Sequence, residues 1–83
     1  MSDKEIIIEY IENRLLPAGE NIKLASDDNL LVRAPIDSMG VVQLVDFLEQ
    51  SFGIKIRAGE VTIQNFQTVD AMFALIERKR AGT

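Results

Sequence analysis

One segment constrains the fold of this chain more than any other, because residues 37–52 repeat apolar side chains at helical spacing. The repeat follows one stripe of the helix and consists of Val42, Val45, Leu48 and Phe52. Gly53 comes next, where a left-handed residue readily ends a helix. The pattern predicts an amphipathic helix from Asp37 to Phe52, whose apolar stripe must be buried against other parts of an 83-residue chain.

The N-terminal segment predicts a second helix. Ser2 and Glu5 have the spacing of a capping box, in which each side chain bonds the other's backbone amide. Apolar residues then recur at helical spacing: Ile7, Ile8, Ile11 and Leu15. The β-branched triplet at 6–8 also suits a short strand, but the cap and the length of the pattern favour a helix. It should end near Leu16, because Pro17 disfavours helical conformation in the residue before it.

A loop of about 19 residues, 17–35, follows this helix and has no sustained periodicity. It is rich in turn-forming residues such as Asn and Asp. We expect its apolar residues to attach it to the core, and it has room for a single helical turn. These residues are Leu24, Leu30, Leu31 and Val32.

The C-terminal third predicts a loop, a short helical turn and a last helix. Ile54 and Ile56 should enter the core from the loop, residues 62–66 could form the turn, and Thr68 is a candidate N-cap. The last helix buries Val69, Met72, Phe73 and Ile76. We therefore predict an all-α fold, a small four-helix bundle of three main helices and one short helix with a long first loop. It forms one domain, residues 1–83.

Composition excludes several classes of function. Thirteen acidic residues against nine basic ones give a net charge of −4, which argues against a nucleic-acid binder. The chain has no Cys and no His, so it lacks disulfides, a thiol nucleophile and the commonest zinc ligands, and we predict no metal site. No apolar run approaches the roughly 20 residues of a membrane span. We expect a cytoplasmic protein that binds neither nucleic acid nor membrane.

Ser38 begins the central predicted helix, directly after Asp37. A catalytic serine needs a base and an oxyanion site, and without histidine this chain offers no evident base, so we do not expect an enzyme. As an acceptor of a phosphate group, however, Ser38 is well placed, because the amides and dipole of a helix N-terminus favour anions. The competing interpretation is that Ser38 merely caps the helix or occupies its first turn.

The sequence around Ser38 resembles the modification-site helix of the acyl carrier and peptidyl carrier protein family. The resemblance rests on Asp37-Ser38-Met39 and on the residues that follow: Val42, Leu44, Val45, Leu48, Glu49 and Phe52. It implies an acyl-carrier-protein-like bundle that receives covalent 4′-phosphopantetheine on Ser38. The thiol at the end of this arm would hold acyl or aminoacyl groups as thioesters, which suits a chain without cysteine. By the same match, Asp37 would help the transferase place its metal ion.

The resemblance also implies partner enzymes: a phosphopantetheinyl transferase, an acyl- or aminoacyl-loading enzyme, and a downstream condensing or transfer enzyme. Met39, Val41, Asp46 and Glu49 are the candidate contact residues, with Gln43 a weaker candidate. We expect the carrier to be a monomer.

The chain departs from fatty-acid carriers at Pro35 and Met39, which replace the usual Gly and Leu. Residues 57–66 and 77–80 look more like the corresponding segments of discrete carriers of specialised biosynthesis. Together these features favour a freestanding carrier of polyketide or nonribosomal peptide type. The alternatives are a fatty-acid-synthesis carrier, a helical interaction module in which Ser38 is only a cap, and a phosphoserine switch.

Overall fold

The computed structural model describes residues 2–16, 22–34 and 36–82, and within these ranges the regular structure is helical, with no strand. The helices are α1 (Asp3–Tyr10), α2 (Leu30–Arg33), α3 (Ser38–Phe52), α4 (Ile63–Phe66) and α5 (Val69–Gly82). A π-helical turn, Ile11–Leu15, continues α1, and a 3₁₀ turn, Ala58–Glu60, precedes α4. The predicted all-α class is therefore confirmed.

The predicted capping box begins α1. Ser2 Oγ accepts from the Glu5 amide at 3.2 Å, and a Glu5 carboxylate oxygen accepts from the Ser2 amide at 2.9 Å. These hydrogen bonds hold the pKa of Glu5 below its ordinary value. The helix ends where Leu16 becomes extended, with its amide bonded to the Ile11 carbonyl at 3.2 Å. The prediction that the residue before Pro17 leaves the helix is confirmed.

The long loop contains the helical turn α2, which the sequence allowed. Asn29 caps it, with its side-chain oxygen accepting from the Leu31 amide at 2.9 Å. Leu24 and Leu30 are buried as expected, but Leu31 and Val32 are 58% and 75% exposed, so the prediction that they attach the loop to the core is wrong. A single turn can direct only part of its surface inward, and Leu30 occupies that part. Residues 17–21 and 35 of the predicted loop lie outside the described residues.

The central helix α3 has the predicted ends, but its buried face differs from the predicted stripe. Gly53 ends it in the left-handed conformation, at φ 65°. Val42 is 63% exposed, whereas Leu44 and Leu48 are buried. The assignment of Val42 to the core is therefore wrong, and Val45 is only half-buried. The buried face is rotated toward a row at i, i+4, i+8 and i+12: Gly40, Leu44, Leu48 and Phe52.

The C-terminal elements follow the local signals in the sequence. Thr62 caps α4, and Thr68 Oγ1 accepts from the Ala71 amide at 2.9 Å in the first turn of α5. Ile54 and Ile56 are half-buried against the core, as predicted, while Phe73 is half-buried rather than fully buried. The largest fully buried side chains come from α1 with its π-helical extension, α3 and α5: Ile7, Ile11, Leu44, Leu48, Val69, Met72 and Ile76.

Candidate functional site

Ser38 is the first residue of α3 and is exposed. The residue that caps the helix is Asp37, whose Oδ1 accepts from the Gly40 amide at 2.8 Å and whose carbonyl accepts from the Val41 amide at 3.0 Å. Within residues 2–16, 22–34 and 36–82, the Ser38 hydroxyl takes part in no hydrogen bond. The hypothesis that Ser38 is the cap of this helix is therefore wrong, whereas the alternative that Ser38 occupies the first turn agrees with the structure.

The helix start surrounding Ser38 is electrostatically suited to an anion. The first amides of a helix lack intrahelical acceptors and carry the positive end of its dipole. Asp37 uses one carboxylate oxygen to satisfy the Gly40 amide, and the first turn of α3 contains no acidic residue. A phosphate ester on the Ser38 oxygen would lie at a helix end that favours negative charge, which it would share with the Asp37 carboxylate.

The candidate contact residues on α3 differ in how far their side chains are exposed. Met39 is 65% exposed beside Ser38, Asp46 is exposed two turns further along, and Val41 is half-buried. Glu49 is half-buried and already has a structural partner, because one of its carboxylate oxygens accepts from the Ile56 amide at 2.8 Å. The backbone carbonyl of Gln43 accepts from the Tyr10 hydroxyl at 3.4 Å, which leaves its exposed side chain uninvolved.

An apolar groove of about 200 Å³ opens next to the Ser38 end of α3. Residues of α2, α3 and α4 line it, together with the segment that precedes α3; among them are Leu31, Ile36, Val41, Ile63 and Phe66. The bond from the Leu30 amide to the Gln67 carbonyl, 2.8 Å long, fixes α2 against the α4–α5 junction and so holds the groove together. The groove is smaller than the roughly 300–1,000 Å³ typical of ligand pockets that enclose their substrate.

The sequence interpretation missed this groove and two exposed apolar residues that line it, Leu31 and Ile63. It also missed the exposure of Val42 on α3. The groove depends on how segments about 30 residues apart in the chain meet, which periodicity does not report. One signal was present, since α3 carries more apolar residues than one buried stripe needs.

The described part of the chain offers neither a candidate metal cluster nor a membrane-spanning helix. Residues 2–16, 22–34 and 36–82 contain no cluster of three or more acidic, His or Cys residues that could hold a metal ion. None of the helices in these ranges is both long enough and apolar enough to cross a membrane.

Comparison with known proteins shows the family of this chain. No protein-family model matches the chain. A curated protein of Serratia sp. (strain ATCC 39006), named probable acyl carrier protein PigG, is 36% identical over 75 residues, which cover 90% of this chain and 85% of the relative. The chain belongs to the acyl carrier protein family. Proteins of this family are carriers, and the exposed hydroxyl, capped helix and small open groove of this acyl carrier protein are compatible with that role.

Proposed function

We propose that this acyl carrier protein receives 4′-phosphopantetheine on Ser38 and carries thioester intermediates between enzymes of specialised biosynthesis. The observation that carries the proposal is the exposed Ser38 at the start of α3, with the capping role taken by its neighbour Asp37. The hydroxyl is thereby left available to an external enzyme at the helix end that best tolerates a phosphate.

The attachment step requires no catalytic group in this chain. The Ser38 oxygen attacks the β-phosphorus of coenzyme A, the P–O bond of the pyrophosphate link breaks, and 3′,5′-ADP leaves. A base of the transferase takes the hydroxyl proton. The second carboxylate oxygen of Asp37, which is not the one bound to the Gly40 amide, would be directed to the transferase's metal ion. The arm supplies the thiol that the sequence lacks.

The partner enzymes would be the transferase, a loading enzyme and a condensing or transfer enzyme, each approaching the Ser38 end. The contacts that support this are Met39 and Val42, exposed beside Ser38, and Asp46 further along the same helix. Glu49 is a weaker contact candidate because its hydrogen bond to the Ile56 amide holds it against the protein.

The groove at the Ser38 end of α3 could receive part of a bound cargo. Engineered apolar cavities of about 150 Å³ bind benzene, and this groove measures about 200 Å³. It is therefore large enough for a single ring or a short acyl chain. Because the groove is open, its volume sets no upper limit on the length of the cargo, and the preference for specialised biosynthesis over fatty-acid synthesis rests on the sequence.

The test is intact mass measurement after incubation with coenzyme A and a promiscuous phosphopantetheinyl transferase. We expect a gain of about 340 Da, the mass of the arm, which disappears in Ser38→Ala and persists in the matched hydroxyl variant Ser51→Ala. Ser51 is exposed in the last turn of the same helix. An unchanged mass for the wild-type protein, or a gain that survives Ser38→Ala, would contradict the proposal.

A further inference from the structure

Gly40 is a glycine in an unexpected place. It is buried in the first turn of α3. Its φ is not positive, because Gly53 is the only one of the described glycines with a positive φ. Glycine is the least favourable residue inside a helix after proline, because it loses the most backbone freedom on folding. Backbone geometry therefore does not explain Gly40, and the space around it must.

The side chain of Ile36 fills that space. A Cβ atom at position 40 would overlap Ile36 Cγ2 and would lie 3.3 Å from Asp37 Oδ1. Carbon atoms in contact are normally about 3.5–4.0 Å apart, so Ile36 would have to move by on the order of 1 Å. Rotation about its stiff, branched χ1 bond would also displace the part of the side chain that lines the groove.

The position of Ile36 determines how the chain enters α3. Ile36 precedes the N-cap Asp37, and Val41, the fourth residue of the helix, lines the same groove. An apolar residue before the cap that packs toward the fourth helical residue fixes the entry angle of the chain. Gly40 also donates its amide to Asp37 Oδ1 at 2.8 Å. Gly40 therefore contacts both residues that precede Ser38: the Ile36 side chain packs against its Cα, and the Asp37 carboxylate accepts from its amide.

We infer that Gly40 is a positioning residue for the modification of Ser38, an inference that rests on the function proposed above. Because Gly40 has no side chain, Ile36 and Asp37 can pack against the first turn of α3. This packing holds the Ser38 hydroxyl in one position relative to the helix. The transferase must bring the Ser38 oxygen into line with a phosphorus atom, and a displacement of about 1 Å can reduce such a rate by about 10²-fold.

A double-mutant cycle tests this inference: wild type, Gly40→Ala, Ile36→Ala and the double variant, with kcat and KM measured for attachment of the arm. Gly59→Ala is the matched control, because a Cβ at this exposed glycine meets no atom within 4 Å. Denaturant unfolding of each protein confirms that the assays compare folded chains.

We expect Gly40→Ala to lower kcat/KM by at least about tenfold and Gly59→Ala to leave it unchanged. Ile36→Ala removes the methyl group that a Cβ at position 40 would strike, and we expect it to lower kcat/KM by itself because the entry segment loosens. Adding Gly40→Ala to that variant should then change the value by less than about twofold, since the two sites are coupled through one contact.

Wild-type kcat/KM in folded Gly40→Ala, or an equal loss in both backgrounds, overturns the inference while leaving the proposed function intact. A wild-type protein that the transferase does not modify overturns both. If Gly40→Ala does not fold, Ile36→Ala decides alone: slower attachment supports the positioning role, and an unchanged rate refutes it.

Discussion

Replacement of Asp37 and Ser38, one at a time, separates the helix cap from the acceptor hydroxyl. The Asp37 carboxylate satisfies the Gly40 amide at 2.8 Å, while the exposed Ser38 side chain bonds to none of the described residues. Asp37→Ala removes the cap. Asp37→Asn keeps an oxygen that can accept from the same amide but removes the charge. Ser38→Ala removes only the hydroxyl.

The free energies of unfolding should rank these variants clearly. Loss of an N-cap costs about 1 kcal/mol, within a range of roughly 0.5–2, whereas Asn caps about as well as Asp. We therefore expect Asp37→Ala to lose about 1 kcal/mol, and Asp37→Asn to remain within about 0.5 kcal/mol of wild type. Ser38→Ala should be neutral or stabilising by up to about 0.5 kcal/mol, because Ala is the better helix former.

Thermal unfolding and urea titration measure these differences. For a domain of this length, 1 kcal/mol corresponds to a Tm change of about 4–8 °C. In the modification assay, Ser38→Ala should gain no mass and Asp37→Asn should be slow despite its wild-type stability, because the carboxylate is the proposed contact of the transferase's metal ion. A loss of stability in Ser38→Ala equal to that in Asp37→Ala would refute the reasoning, since it would make the hydroxyl a structural cap.

Three further predictions concern stability. Leu48→Ala should lower the unfolding free energy by about 2–5 kcal/mol, because Leu48 is fully buried. Val42→Ala should change it by less than about 0.5 kcal/mol, because Val42 is exposed. Equal losses in urea titration would contradict the assignment of Leu48, and not Val42, to the buried face of α3. Hydrogen bonds from the backbone amide of residue 57 and from Lys79 hold the pKa of Glu60 below its ordinary value. The stabilisation they provide is therefore present above that ordinary pKa and is lost as the pH falls through the lower folded-state pKa. Glu60→Gln should flatten this acid limb in urea titrations at pH 7 and pH 3, and an unchanged pH dependence would contradict it. Gly53→Ala should cost about 1–2 kcal/mol because of its left-handed φ of 65°, and a neutral effect on Tm would show that the end of α3 does not need that conformation.

The sequence predicted best those features that depend on a few neighbouring residues. The capping box of Ser2 and the cap formed by Thr68 are local arrangements, and each begins a helix as predicted. The short turn predicted at residues 62–66 is the helix α4, which Thr62 caps. The end of α3 at Gly53 is of the same kind. Such signals need no knowledge of the rest of the fold, because donor and acceptor lie within three or four residues of each other.

Features that depend on distant segments could not be predicted in the same way. The exposure of Leu31 and Val32 follows from how one short turn, α2, meets α4 and the start of α5. The role of Gly40 was equally hidden, because nothing in the spacing indicates that Ile36 folds back over the first turn. From the sequence alone, a glycine within a predicted helix is only a weak helix former. The sequence does not show that Ile36 needs the space that a side chain at position 40 would fill.

The error in the buried face of α3 is informative for a physical reason. A helix that only packs against a core has one apolar stripe, and its periodicity then fixes which residues are buried. This helix is apolar on two faces near Ser38, so Val42 and Leu44 both fit a helical repeat that ends at Leu48 and Phe52. Leu44 packs into the core, and Val42 stays exposed one helical turn from Ser38. Local rules are expected to fail where a surface is kept for function, because there the most stable pattern is not the one required. The second apolar face is therefore an argument for the proposed docking of partner enzymes at this end of the helix, independent of the position of Ser38 itself.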